Sequence, residues 1–512
     1  MSKSIGKGTI VLIVSGLICK LLGAFFRLPL TSILGIEGIG VFQMVMSVYS
    51  FVLVLTSGGV ATALSKFVSQ ARARGDFAKI KSLIRVAIFY SLLFSVLGGG
   101  VLFLLAKPIA LLQGATGGRL AYELMILLIP LGGVIAALRG VFQGYENMTP
   151  TAISQILEQV FKFALGLGLS FVLGKRGAEA GVFGAFLGIA IGEVAAIIFL
   201  AISMKVKTSF PVAGEKSERG IFLKAVVPLS LGAAVLPFVS AVDSFVVSAR
   251  LAVAGFAPQV ATALFGLQTG VVGAILNFPL IISTSISVAM LPAVSYMEAQ
   301  LSAESEKAIA KALKIMWFVL LPIVFGLCCI CRPLYQLVYP SLDLAMLDYA
   351  VNLTYFGAAS VVISALMQFF VALLQAKGKF GYCMASYVLG GALKIACAYV
   401  LCALPSINIY GVVIGNIALS GTVCIMALIK NKRKISVEFF DLALPLLAST
   451  AMTMCIALFT SKIVLSPIMQ IVCSVIIGGV LYGFLTYPIL AEFISQMWHK
   501  LKAKSGGTNQ TQ

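Results

Sequence analysis

The stretch Lys20–Gln43, KLLGAFFRLPLTSILGIEGIGVFQ, begins inside a long apolar helix and carries two cations into it, Lys20 and Arg27. A cation deep in a membrane-crossing helix costs at least about 2.5–3.5 kcal/mol, so it needs a cavity, a partner or a route to an interface. Gly16, Lys20, Gly23 and Arg27 are spaced four, three and four apart, which places them on one helical stripe. Two readings follow. Either the two cations snorkel to the interfaces, or they line a water-filled, positive cavity that receives an anion. Beyond them, Gly35, Gly38 and Gly40 predict a tight turn outside the membrane, with Glu37 on it. Glu37 is either a solvated loop carboxylate or a partner for Arg27 or a cation.

The rest of the chain agrees with a membrane setting. Of 512 residues, 60% are hydrophobic and only 11% charged, with a mean hydropathy of +1.07. Soluble proteins carry about 25% charged residues, so this is an all-α polytopic membrane protein. Fourteen membrane helices are predicted at 9–30, 40–64, 83–105, 120–143, 151–174, 180–203, 223–249, 262–291, 312–331, 349–375, 382–403, 409–429, 441–461 and 466–491. With the N-terminus cytoplasmic, 25 of the 37 Lys and Arg residues fall inside and seven outside. That bias predicts both termini on the cytoplasmic side, and it explains the basic excess without nucleic acid. Met1–Lys7 leads straight into the first helix, so no cleaved signal is expected. The tail from Lys500 is polar.

A weak internal repeat is present. A shift of 230 residues places Ala63, Ser65, Lys81 and Leu83 on Ala293, Ser295, Lys311 and Leu313. A shift of 232 places Gln143, Ser154 and Lys162 on Gln375, Ser386 and Lys394. Near the first helix of each half the best shift is 216, which places Gly16 on Gly232 and Arg27 on Asp243. Six helices per unit is even, so the two halves run parallel, as in transporters with a site between repeats. The expected organisation is a six-helix lobe at 1–220, a second at 221–435, two added helices at 436–492 and a cytoplasmic tail at 493–512.

Other charged residues lie within helices. Glu158 and Lys162 stand at i and i+4, the favourable order for a pair, on a helix that also carries Gln155 and Gln159. They are either self-neutralised or cavity-facing. Lys394 has glycine four residues before it, at Gly390, and so is expected to face a cavity. Asp243 and Arg250 are seven apart on one face. Asp243, as the repeat mate of Arg27, could pair with it in one state and release it in another. Glu123, Arg139 and Glu193 are weaker candidates. Asn277, with Pro228, Pro237, Pro279 and Pro292, marks bends where a moving lobe needs them.

The segments Phe26–Gln43, FRLPLTSILGIEGIGVFQ, and Phe142–Gln159, FQGYENMTPTAISQILEQ, resemble bacterial flippases of the multidrug/oligosaccharidyl-lipid/polysaccharide exporter superfamily. The resemblance is to the stage V sporulation protein B branch, akin to lipid II flippases and polysaccharide exporters. It implies translocation of a lipid-linked, anionic cell-envelope precursor across the bacterial cytoplasmic membrane by alternating access. The implied partners are a lipid-linked oligosaccharide or peptidoglycan precursor, membrane lipid and a coupling cation.

On this reading Lys20, Arg27, Lys162, Asp243, Arg250 and Lys394 form the substrate site, and Glu37, Glu158 and Asn277 are candidates for gating or ion coupling. No cofactor or metal is expected. The ten cysteines lack metal-ligand spacing, and His499 is the one histidine. Metalloprotease, serine hydrolase and phosphate-loop motifs are absent, which disfavours an enzyme. A small-molecule antiporter of the same superfamily is the alternative, with a non-transporting assembly scaffold behind it.

Overall fold

The computed structural model describes residues 3–205, 218–299, 304–431, 438–463 and 465–491. Among them the chain forms helices and no strand. In order these are α1 (Lys3–Ser57), α2 (Val60–Ala73), α3 (Phe77–Leu104), α4 (Ala106–Leu112), α5 (Arg119–Gly144), α6 (Met148–Phe161), α7 (Leu167–Gly174), α8 (Ala178–Lys205) and α9 (Glu218–Val253). They continue as α10 (Pro258–Gly266), α11 (Gly273–Ala299), α12 (Glu304–Val338), α13 (Leu344–Ala376), α14 (Phe380–Leu401), α15 (Tyr410–Asn431), α16 (Phe439–Lys462) and α17 (Pro467–Leu485). π-helical turns, Lys162–Gly166 and Leu267–Val272, join α6 to α7 and α10 to α11.

Among the described residues thirteen spans are long and apolar enough to cross a membrane. The first, Val14–Ala73, has 60 residues. At about 1.5 Å per residue it is far longer than a ~30 Å hydrocarbon core. It is two crossings joined at Gly35, whose φ of 71° and ψ of 178° break α1. Only glycine adopts that conformation without strain. Counted as two arms, it brings the total to the expected fourteen. The predicted turn is thus a single-residue break, and Gly38 and Gly40 lie within the second arm.

Gly40 has a different use. A Cβ there would stand 2.2 Å from the Thr262 carbonyl oxygen, and one on Gly266 would stand 2.5 Å from the Gly40 nitrogen. Two glycines therefore let α1 and α10 touch backbone to backbone. Beside that contact, Gln43 Nε2 donates to the Thr269 carbonyl at 3.1 Å. Thr269 lies in the second π turn, where the altered register frees carbonyls for such a bond.

The chain divides into two compact units. One comprises Met1–Ile281 with Gly378–Lys430, and the other Ile282–Lys377 with Asn431–Gln512. The first holds Arg27, Arg139, Glu158, Lys162, Glu193, Asp243 and Lys394. Its core includes Leu64, Val68, Leu83, Val141, Phe222 and Val226, contributed by α2, α3, α5 and α9. In the second, α16 and α17 pack on α12. Ala448, Met452, Ile456 and Tyr482 form the seam, and the Tyr482 hydroxyl donates to the Phe318 carbonyl at 2.7 Å. Trp317 Nε1 donates to the Leu442 carbonyl at 3.0 Å, and Lys314 Nζ pairs with Asp441 Oδ1 at 2.8 Å. The two helices expected to follow the second lobe are thereby tied to α12 by packing, hydrogen bonds and charge.

Candidate functional site

Two clusters of the first unit hold the candidate charged residues. The first lies where α1, α5, α6 and α8 meet. Arg139 of α5 donates through Nη2 to Glu158 Oε2 at 2.9 Å and through Nε to Ser154 Oγ at 3.0 Å. Their pairing follows from the hairpin between α5 and α6. Its turn passes through Glu146, at φ 58°, which sets Arg139 opposite Ser154, with Glu158 one helical turn further along α6. Lys162 Nζ stands over the Phe26 ring, 5.1 Å from its centroid. It lies within electrostatic reach of Arg27, Glu158 and Glu193. Glu193 of α8 is buried, and its Oε1 accepts from the Tyr49 hydroxyl at 2.7 Å. Ser15 Oγ approaches Gln155 Oε1 at 3.5 Å. A Cβ on Gly23 would lie 3.9 Å from Gln159 Oε1. The small, cationic stripe of α1 therefore runs beside the polar stripe of α6, and among the described residues the cluster brings Arg27, Arg139 and Lys162 together with Glu158 and Glu193.

The second place lies between α9 and α14. Lys394 Nζ and Asp243 Oδ2 are 2.5 Å apart, with both residues buried. Arg250 lies further along α9. Its Nε donates to the Tyr399 carbonyl at 2.8 Å, and its guanidinium stacks 4.2 Å from the Tyr399 ring centroid.

The structure thus brings Arg27, Glu158 and Lys162 into one cluster and Asp243 and Lys394 into another. Lys20 is exposed, and a Cβ on Gly16 of the same stripe would meet nothing within 4 Å. Glu37 is exposed near the Gly35 break, and Asn277 is exposed on α11. Two pairings differ from expectation. Glu158 bonds to Arg139, because the hairpin delivers a guanidinium to it while Lys162 turns to Phe26. The salt bridge of Asp243 is with Lys394, because α14 packs directly on α9. Lys394 is accordingly a buried, neutralised cation, and the open cavity position expected for it is not seen. Arg250 ties α9 to α14.

Arg139 and Glu193 carried little weight in the sequence. Hairpin symmetry about the Tyr145–Asn147 turn points Arg139 at Ser154, and Glu158 lies one turn of α6 beyond it. The Tyr49–Glu193 bond joins residues 144 apart in sequence, and no local pattern announces it.

Residues 5–298 match the family described as polysaccharide biosynthesis protein. The chain belongs to that family. Stage V sporulation protein B of Bacillus subtilis (strain 168) is 28% identical over 435 residues, covering 79% of each chain. Lipid II flippase MurJ of the same organism is 23% identical over 424 residues, covering 77% of each. Among solved structures, lipid II flippase MurJ in an inward closed conformation has a TM-score of 0.74 at 14% identity, covering 95% of this chain and all of that one. An inward-facing multidrug resistance MATE family transporter of the MOP superfamily has a TM-score of 0.65 at 14% identity, covering 80% and 94%. These likenesses bear out the resemblance carried by Phe26–Gln43 and Phe142–Gln159, and they show the fold. This member of the polysaccharide biosynthesis protein family is a multi-pass membrane protein with the helical architecture of those transporters.

Proposed function

We propose that this protein translocates a lipid-linked, anionic cell-envelope precursor, a peptidoglycan unit of the lipid II type or a polysaccharide unit, across the bacterial cytoplasmic membrane. One observation carries the reading. Arg27, Arg139 and Lys162 gather on membrane helices beside Glu158 and Glu193. Half-buried cations brought together are unfavourable alone and favourable around a diphosphate, because charge-assisted bonds are strong at low dielectric. Arg27 and Lys162 supply the grip, and the open face beside Lys20 and Gly16 is the approach. The lipid tail stays in the bilayer. The relatives named for sporulation and for lipid II flipping support the substrate class.

Translocation is by alternating access, the six-helix lobe at 1–220 working against that at 221–435. The parallel repeat supports those lobes. Lys162 stands beside a helix packed on α1 and Lys394 on one packed on α9, as a repeat requires. The charge bias supports a cytoplasmic position for both termini. A coupling cation supplies energy, and the protein performs no covalent chemistry.

The test is transport by the purified full chain in liposomes. A fluorescent lipid-diphosphate oligosaccharide is to cross, while a plain phospholipid of equal charge is not. The likeness to a multidrug transporter supports the other reading, export of small organic cations. Counterflow of an organic cation without lipid movement would select it.

A further inference from the structure

Glu193 takes no part in the grip proposed above, yet it is the most costly group near it. Its side chain is 3% exposed. Oε1 accepts a single bond, from Tyr49, and Oε2 has no hydrogen-bond partner among the described residues. A buried carboxylate with one oxygen unsatisfied bears most of its desolvation cost, whereas a neutral carboxyl bears far less. The groups that face it are Tyr49 from α1, Arg139 from α5, Glu158 from α6 and Lys162 from the first π turn. Arg139 is engaged by Glu158. Lys162 sits over Phe26 and forms no ion pair with Glu193 among the described residues. The nearest compensating charges are thus committed elsewhere.

A metal ion does not fit this oxygen. Small cations need several oxygen ligands around them, and no group of three His, Cys, Asp or Glu side chains placed to hold a metal ion occurs among the described residues. Arg139 and Lys162 would also repel a metal. A proton needs only the one free oxygen.

We infer that Glu193 is a proton-binding site, with Oε2 protonated in the packed arrangement seen here, and that the proton is the coupling ion of transport. Oε2 takes one proton from water on one side of the membrane and the carboxyl becomes neutral. Loss of that proton to water on the other side restores the carboxylate and draws the Lys162 ammonium from Phe26 towards it. Proton release therefore removes a cation from the headgroup grip, which links the two events. The coupling role rests on the proposed function; the protonation does not.

Infrared difference spectra between acid and alkaline pH, taken on the full chain in lipid nanodiscs, test the site without any substrate. Wild type is expected to show a carboxylic C=O band that vanishes on alkalinisation. Glu193→Gln keeps the shape and the bond from Tyr49, and should lack that band. Tyr49→Phe should shift its frequency, because the carbonyl loses its donor. An unchanged band in Glu193→Gln at wild-type helicity overturns the proton site. For the coupling, an imposed pH gradient should change the flipping rate of wild type severalfold and leave that of Glu193→Gln unmoved. Equal gradient responses overturn the coupling, while failure of wild type to move lipid at all, with the band present, overturns the proposed function alone.

Discussion

Lys394 Nζ and Asp243 Oδ2 stand 2.5 Å apart, both buried, and the repeat proposed above sets them against Lys162 and Arg27, two cations. Removing one partner of the sealed pair strands a buried charge, at a cost of about 3–5 kcal/mol. Asp243→Asn and Lys394→Met should each lower the melting temperature of the purified protein by several degrees. Combining Lys394→Met with Asp243→Leu should recover most of the loss, because an apolar pair of similar volume is close to neutral in stability. Equal melting of wild type and both single variants would show that the bridge carries no stability.

How much of this was legible beforehand follows from the range of each interaction. Helix number and apolar character are local, so the spans emerged from hydropathy, and Gly35 was visible as a breaker. The Arg27, Lys162 and Glu158 cluster was partly legible, because helical spacing marks a polar face. The partner on the facing helix was not. Asp243 is 151 positions from Lys394, and nothing local says which helix lies opposite. Glu193 was undervalued for the same reason, since its cost arises from Tyr49 and from burial. Arg250 looked like a cavity cation because its spacing from Asp243 shows a face and not what covers that face.

Gly40 meets the α10 backbone so closely that any side chain must separate the helices by about 1 Å to reach ordinary van der Waals distance. Gly40→Val should therefore open the α1–α10 contact. Cysteines placed at Gln43 and Thr269, whose side chain and backbone touch in the parent, should crosslink readily with a short bifunctional reagent. With Gly40→Val added, crosslinking should fall severalfold. Undiminished crosslinking would mean that the glycine pair does not set this approach.

Arg250 is occupied by the carbonyl and ring of Tyr399. Arg250→Ala should lose about 1–3 kcal/mol of stability, from one charge-assisted bond and one cation–π contact. Transport per folded molecule should stay at the wild-type level. Thermal melts run beside initial flipping rates separate the two effects. A normal melt with lost flipping would place Arg250 in the substrate path.

The cationic cluster of the first half is the centre of the account, and Arg27 is the residue on which it stands most exposed to test. Lysine at this position keeps the charge but loses the planar fork that grips phosphate at two points. Losing one charge-assisted contact is worth roughly 1.5–3 kcal/mol, which slows transport about ten- to hundredfold. The deciding measurement is the initial rate at which a lipid-diphosphate oligosaccharide crosses liposome membranes containing wild type, Arg27→Lys or Arg27→Ala at equal protein content. Wild type should move it, Arg27→Lys should be slower, and Arg27→Ala should fall at least tenfold while its melt stays normal. A wild-type rate in Arg27→Ala would contradict the account and return this arginine to the membrane interface.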